Sequence, residues 1–364
     1  AIMENEVELA MQLATSTMLP VALRAAVDLG VFDILATSSN LSSSEIVSHF
    51  PNQTTPNPSA HRALEHILSL LSSHSILTCS SSPNNPKTKL YGLSPVARYF
   101  TKTNGTLSSF LLMIQDKLIS DMWLCLKEAV VEGGKALEVA YQMNPYDLMK
   151  ENPVFSSQFK ASMVDFNHLL MKNILNTYDG FGGISTLVDV GGGDGSIIKI
   201  ILSKYPDIIG INFDVSEVIK SSAIVHNGVK HVAGDMFASI PEGDGMLLKV
   251  RRIPDAIYFD EMSYFSQWIL HSWDDEQCIK ILRNCYRSLA RRGKLMAIDM
   301  IVPECPDTRI KSLHQLHLFM ANINPGGFER TEEEFRVLGM AAGFSRIVVA
   351  CYACDFSLIE FLKE

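Results

Sequence analysis

Leu187-Val188-Asp189-Val190-Gly191-Gly192-Gly193-Asp194-Gly195 is the stretch on which the fold turns. Leu187 to Val190 read as a short, apolar, β-branched strand running straight into a glycine-packed turn. Ile197, Ile198, Ile200, Ile201 and Leu202 then open an apolar helix. Glycine has no Cβ, so such a turn at the carboxyl end of a parallel strand lets a cofactor lie against bare backbone. The same glycines would equally serve a plain tight turn, but two acidic strand ends downstream favour the cofactor. Ile208 to Phe213 form a second apolar segment ending in Asp214, about 20 residues on, where nucleotide folds hold a ribose hydroxyl pair. Val215 begins the next loop. Val232-Ala233-Gly234-Asp235-Met236-Phe237 offers a third strand end, with Met236 and Phe237 able to sandwich an adenine. From residue 179 onward strands and helices alternate, which predicts an α/β domain with a Rossmann-like, doubly wound parallel sheet.

The cofactor implied carries adenosine but no pyrophosphate. The glycine spacing is not that of dinucleotide sites, Asp194 would repel a phosphate at the helix start, and no Gly-Lys-Ser or Gly-Lys-Thr loop occurs. S-adenosylmethionine, a cation with a ribose, suits an acid-lined glycine turn better than NAD.

The bulk numbers narrow the class. A chain of 364 residues can bury a large core and hold two domains. A net charge of −9 argues against nucleic acid or an anionic membrane as partner, and no apolar run approaches a membrane span. Seven scattered cysteines and no recognisable secretory leader point to a reducing, cytoplasmic setting. Cys351 and Cys354 have no second pair or histidine at zinc spacing, so no metal site is read there.

Residues 6 to 36 carry helical periodicity, Ser42-Ser43-Ser44-Glu45 resembles a helix start, and Pro58 to Leu71 form a second amphipathic helix. Ile76–Cys79 and Lys89–Leu93 flank a Ser/Pro/Asn-rich turn and read as a β-hairpin. Helix, helix and hairpin make a winged helix. The acidic balance and the lack of a basic helix face leave self-association as its use rather than DNA binding. Residues 107 to 178 are helical and rich in Met and Phe. Such side chains are core more often than ligand-lining, but their place between two domains suggests a partly exposed apolar cleft. The expected division is a mainly helical winged-helix domain at 1–106, a helical linker at 107–178 that contributes to a substrate pocket, and the cofactor domain at 179–364.

Trp268-Ile269-Leu270-His271-Ser272-Trp273-Asp274-Asp275-Glu276 puts a histidine ahead of a helix rich in first-turn acids, on the sheet edge that carries the glycine turn. A phenol has a pKa near 10, so a well-placed neutral imidazole is a sensible general base for methyl transfer to oxygen. Asp299, ending the strand Lys294 to Ile298, and Glu329, within Pro325-Gly326-Gly327-Phe328-Glu329-Arg330-Thr331, are placed to flank it. Each acid alone also reads as a helix cap or surface group.

Asp189-Val190-Gly191-Gly192-Gly193, Gly234-Asp235-Met236-Phe237, the His271 to Glu276 stretch and Asn324 to Thr331 together resemble the plant class I, caffeic acid-type O-methyltransferases, from about residue 8 to the C-terminus. The resemblance implies a homodimer through the winged-helix region, an S-adenosylmethionine domain, metal-free catalysis and a small aromatic substrate. By position it implies His271 as base with Asp299 and Glu329 beside it. It further implies cofactor contacts at Asp189, Gly191, Gly193, Asp214, Val215, Asp235, Met236, Phe237 and Lys249, and pocket positions at Met113, Phe155, Phe159, Met163, Phe166, Trp268, Phe319, Met320 and Asn324.

Three departures stand out. Met246 to Lys249 resembles the strand that ends in the family's cofactor lysine, but residues 250–267 intervene before Trp268, so either Lys249 or Gln267 takes that place. Ile114 and Phe166 stand where caffeic acid enzymes carry an asparagine and a histidine, which makes the pocket less polar and disfavours an acceptor with a free carboxylate. Asp214-Val215-Ser216-Glu217 replaces the usual Asp-Leu-Pro. The expected activity is methylation of a hydroxyl on an aromatic plant metabolite: a phenylpropanoid, flavonoid, coumarin or phenolic alkaloid. An aniline-type N-methyltransferase, or a cofactor-binding relative impaired by the 250–267 insertion, are the alternatives.

Overall fold

The computed structural model describes residues 6–38, 40–50, 57–102, 106–221, 227–249, 269–323 and 329–364. Trp268, Asn324 and the insertion 250–267 lie outside the described residues. The chain divides into two compact units, Ala1–Ser120 and Asp121–Glu364.

In the first unit the periodic run at 6–36 is three helices, Glu6–Ala14, Met18–Asp28 and Val31–Thr37. The first break falls at Thr15, whose hydroxyl donates to Met11 O at 2.8 Å, and the second at Gly30, whose φ of 72° is left-handed. Ser42 starts the helix Ser43–Ser48 with a capping box, its side chain accepting from Glu45 N while Glu45 returns a bond to Ser42 N. The expected hairpin is present as β1 (Leu77–Ser81) and β2 (Lys89–Leu93), paired antiparallel. Leu23, Ala26, Phe32, Leu35, Leu64, Leu68 and Tyr91 form this unit's core.

The second unit is built on seven strands: β3 (Thr186–Val190), β4 (Ile209–Asp214), β5 (Val229–Ala233), β6 (Gly243–Leu248), β7 (Leu289–Asp299), β8 (Arg346–Ala353) and β9 (Phe356–Leu362). Their order is β5-β4-β3-β6-β7-β9-β8. The first five strands in that order run parallel, while β9 pairs antiparallel with both β7 and β8. β3 and β4 are neighbours and β6 lies on the other side of β3, so the connections reverse direction beside β3. Ligands of doubly wound sheets bind in the crevice at the carboxyl ends of strands beside such a reversal. Val188, Val190, Met246, Leu248, Leu295 and Ala297 are buried between the sheet and its helices, as continuous apolar strands of a parallel sheet require. No helix among the described residues is long and apolar enough to cross a membrane.

Candidate active site

The glycine turn after β3 is held open by its own geometry. Gly191, Gly193 and Gly195 have φ of 73°, 61° and 82°. Gly192 is tighter still: a Cβ there would lie 2.1 Å from Asn212 Oδ1 and 2.7 Å from the Asp189 carboxylate. Asp214, at the end of β4, accepts from Gly193 N at 3.0 Å and from Val215 N at 2.7 Å, so its charge is stabilised by two amides. Asn212 Nδ2 donates to Gly193 O at 2.9 Å and meets His231 Nδ1 at 3.0 Å. Sequence reasoning passes over Asn212. Its signal is a polar side chain inside an otherwise apolar strand, since a fully buried amide is kept only where it bonds something.

Six of the nine residues expected to contact a cofactor line one pocket of about 140 Å³: Gly191, Asp214, Val215, Asp235, Met236 and Phe237. Phe213, Ile269 and Trp273 line it too, and none of the three is picked out by the sequence. Phe237 and Trp273 stand edge to face with centroids 5.0 Å apart. Gly193 joins this group through its bond to Asp214. Asp189 and Lys249 lie outside that lining and are both fully buried. Burial pushes the Asp189 carboxyl up to about 7, with Lys249 opposing the rise and Asp214 and Asp194 adding to it. The same burial brings Lys249 down to about 7, opposed by Asp189. Lys249 Nζ donates to Asn167 Oδ1 at 2.9 Å, while neither carboxylate oxygen of Asp189 has a hydrogen-bond partner. A buried acid without donors is a natural seat for a cation.

The histidine corner is assembled from three chain segments. His271 occupies a single 3₁₀ turn, Leu270–Ser272, and is 1 % exposed. The helix Asp275–Ser288 comes next, capped by Asp274, which accepts from Gln277 N at 2.9 Å. His271 Nδ1 lies 2.7 Å from Glu329 Oε1, and His271 N donates to Asp299 Oδ2 at 3.3 Å. Burial by itself would lower the imidazole pKa, but the Glu329 charge and hydrogen bond, with help from Asp299, outweigh it and leave it raised. Burial lifts Asp299 to about 7, against the pull of His271 and with the push of Glu329. Donor atoms of the three groups fall within 4.8 Å of one another, a spacing a cation could share. Here Nδ1 is already engaged by Glu329, and Asp299 accepts from the His271 and Met300 amides.

The expected pocket residues divide between the units. Met113 is fully buried in the first unit. Phe155, Phe159, Met163 and Phe166 follow one face of the helix Pro153–Thr177, at 5, 3, 8 and 5 % exposure, and are therefore buried where a partly exposed cleft was expected. Phe166 meets Phe356 edge on at 5.5 Å. Phe319 and Met320 are buried on the helix Lys311–Ile323, with Trp123 at 6.1 Å from Phe319.

Comparison with known proteins places this geometry in a family. An O-methyltransferase domain model matches residues 123–255 and 252–345, and an O-methyltransferase dimerisation domain model matches 11–103. The chain is 42 % identical to caffeic acid 3-O-methyltransferase 1 of Populus kitakamiensis, over 98 % of this chain and 94 % of that protein. It is 39 % identical to a flavone 3'-O-methyltransferase of Chrysosplenium americanum, over 98 % of both. Among solved structures, human N-acetylserotonin methyltransferase in complex with SAM matches with a TM-score of 0.74 at 20 % identity, covering 100 % of this chain and 99 % of that one. A methyltransferase of calicheamicin biosynthesis in its SAH-bound form matches at 0.78 and 22 %, covering 99 % of both. The chain belongs to the class I, caffeic acid-type family of S-adenosylmethionine-dependent O-methyltransferases.

Proposed function

We propose that this enzyme methylates a hydroxyl of a small, weakly polar aromatic metabolite, with His271 as general base and without a metal. The observation that carries the proposal is the 2.7 Å contact between His271 Nδ1 and Glu329, which orients a buried imidazole and strengthens it as a base. Nε2 is then the nitrogen through which the acceptor's proton would leave, and Glu329 and Asp299 stabilise the imidazolium that forms. S-adenosylmethionine, when bound, supplies a methyl group on a positively charged sulfur. The residues fit such a cofactor: the donor-free carboxylate of Asp189 suits a cation, and the turn at Gly191 and Gly192 presents bare backbone because a Cβ there would run into Ile269, Asn212 and Asp189. Asp189, Gly191, Gly193, Asp214, Val215, Asp235, Met236, Phe237 and Lys249 would hold it, the acids through the ribose and the cation, Met236 and Phe237 through the adenine.

For the acceptor, Phe155, Phe159, Met163, Phe166, Phe319 and Met320 provide apolar surface, and Trp268, Asn324 and the first unit's Met113 belong to the same reading. Phe166, apolar and packed on Phe356, offers a carboxylate no partner, which supports a phenylpropanoid, flavonoid, coumarin or phenolic alkaloid without a free acid group. A panel of phenols and anilines assayed with labelled methyl donor tests this. Transfer confined to phenols supports it, and transfer confined to anilines replaces it with N-methylation.

The reading includes a homodimer through a domain at 1–106 and a linker at 107–178 that serves the pocket. The helix Glu6–Ala14 buries none of its residues within the chain, and Val7, Met11 and Leu13 are 66, 61 and 67 % exposed, which supports a covered face. A monomer by sedimentation would remove that part. A second reading rests on the domain match, which comes in two pieces overlapping at 252–255, inside the inserted segment. Cofactor binding without turnover, with turnover restored by deleting 250–267, would identify an impaired enzyme.

A further inference from the structure

We propose that Arg330 is a positioning residue for the His271 base, clamping the three chain segments that bring His271, Glu329 and Asp299 together. This rests on His271 being the general base of the proposed function. The turn that carries His271 is weakly held by its own backbone: Ser272 N reaches Ile269 O at 3.3 Å and Trp273 N reaches Leu270 O at 3.5 Å. Arg330 supplies what the turn lacks. Its guanidinium is fully buried and donates from Nη1 to Leu270 O at 2.7 Å and from Nη2 to Trp273 O at 2.8 Å, gripping the carbonyls before and after the histidine. Nε and Nη2 both reach Asp275 Oδ1, at 3.0 and 2.8 Å, tying the same group to the first residue of the helix Asp275–Ser288. Cys278 Sγ adds weaker bonds to the same two carbonyls, at 3.1 and 3.5 Å.

The backbone of Arg330 completes the clamp. It forms a parallel bridge to Ile301, and Val302 N donates to its carbonyl at 3.0 Å, which fastens it to the chain leaving β7 just beyond Asp299. Glu329, its immediate neighbour, is the residue that holds Nδ1. One residue thus fixes the exit of β7, the loop carrying Glu329 and the turn carrying His271. Four N–H bonds fanned over three acceptors need the planar fork of arginine, and lysine offers only a point charge on a flexible stem. Three charged groups face the imidazole: Glu329 and Asp299 raise its pKa, and Arg330 opposes them.

The test compares Arg330→Gln, Arg330→Lys, Asp275→Asn and His271→Ala in the full-length enzyme, using S-adenosylmethionine and the best phenol of the panel. Readouts are kcat across pH, cofactor Kd and melting temperature. Displacement of a base by an ångström costs about 100-fold in rate, so Arg330→Gln should lose about that much in kcat with Kd within about 2-fold of the parent. Its acid limb should move to higher pH, because the guanidinium no longer opposes the two carboxylates. Arg330→Lys should return the limb to its parental position without restoring kcat. If Arg330→Gln fails to fold, Asp275→Asn keeps the shape of an exposed partner and removes its charge from the guanidinium, and kcat should fall with cofactor Kd within about 2-fold of the parent. With His271→Ala inactive, parental kcat and pH limb in Arg330→Lys and Asp275→Asn would overturn the positioning role alone. An active His271→Ala would overturn the base reading and this role with it.

Discussion

Two parts of one sheet edge solve the burial of charge in opposite ways. The cradle after β3 and β4 is made of backbone: Asp214 is satisfied by the amides of Gly193 and Val215, and Gly192 packs so closely on Asn212 and Asp189 that no Cβ fits. The histidine corner is made of side chains: His271, Glu329, Asp299 and Arg330 are buried together and compensate one another. A backbone site is sensitive to added volume, because amides cannot move aside. A side-chain cluster is sensitive to a lost partner, because the survivors keep their burial cost without their counter-charge. Asp189 sits between the two cases, buried like the corner yet lacking donors.

Substitutions on either side of this contrast should separate binding from chemistry, and the largest separation is expected at the histidine. His271→Ala should cut kcat by about 1,000-fold, within the range of general base catalysis, with cofactor Kd within about 2-fold of the parent. Calorimetric titration alongside initial rates checks both, and a parallel loss of binding would mean the corner also shapes the cradle. Gly192→Ala should do the reverse, weakening cofactor affinity by about 100-fold, since the new methyl meets Asn212 and Asp189. Wild-type affinity in that variant would mean the turn relaxes freely.

Glu329→Gln keeps the shape of the corner and removes its charge. A rate loss of about 10- to 100-fold is expected, as the base loses its counter-ion. The acid limb of the pH–kcat profile should also move down. The sign comes from His271: Glu329 raises its pKa, a base works only when deprotonated, and rate is therefore lost as pH falls through that raised value. An unmoved limb would separate Glu329 from the titrating group. Asp189→Asn is expected to cost about 10-fold in affinity, one charge-assisted contact. Wild-type affinity should decline as pH drops below about 7, where Asp189 takes up a proton, and the asparagine variant should lose that decline and keep only the dependence that Lys249 carries. Smallest of all, Ser42→Ala removes a capping box in the first unit and should lower stability by about 1 kcal/mol, with turnover unchanged. A drop in kcat there would tie the first unit to the chemistry.

Much of the cradle is legible in the chain alone. Strand, turn and helix around Asp189 to Ile201 are readable because apolar β-branched runs, glycines and helical periodicity are local signals. The hairpin and the Ser42 cap are readable for the same reason. Asp214 and Asp235 are found because a doubly wound sheet returns each strand's carboxyl end to one edge. Asn212, Phe213, Ile269 and Trp273 are not, although Asn212 leaves a trace as a polar residue in an apolar strand. Arg330 stands in plain view beside Glu329 with no signal of its own, since a single arginine looks the same in solution and in a clamp.

The elements, the glycine cradle and the family were thus written in the order of residues. The histidine and the two acids were legible only as a set, because each alone reads as a cap or surface group and the family resemblance is what joins them. Folding in three dimensions settled the rest: that Glu329 rather than Asp299 holds Nδ1, that Lys249 turns inward to Asp189 and Asn167, and that a guanidinium pins the turn around His271. Those facts depend on distances between segments 28 to 82 residues apart in sequence, and local chemistry carries no information about which buried charge meets which until the sheet brings them together.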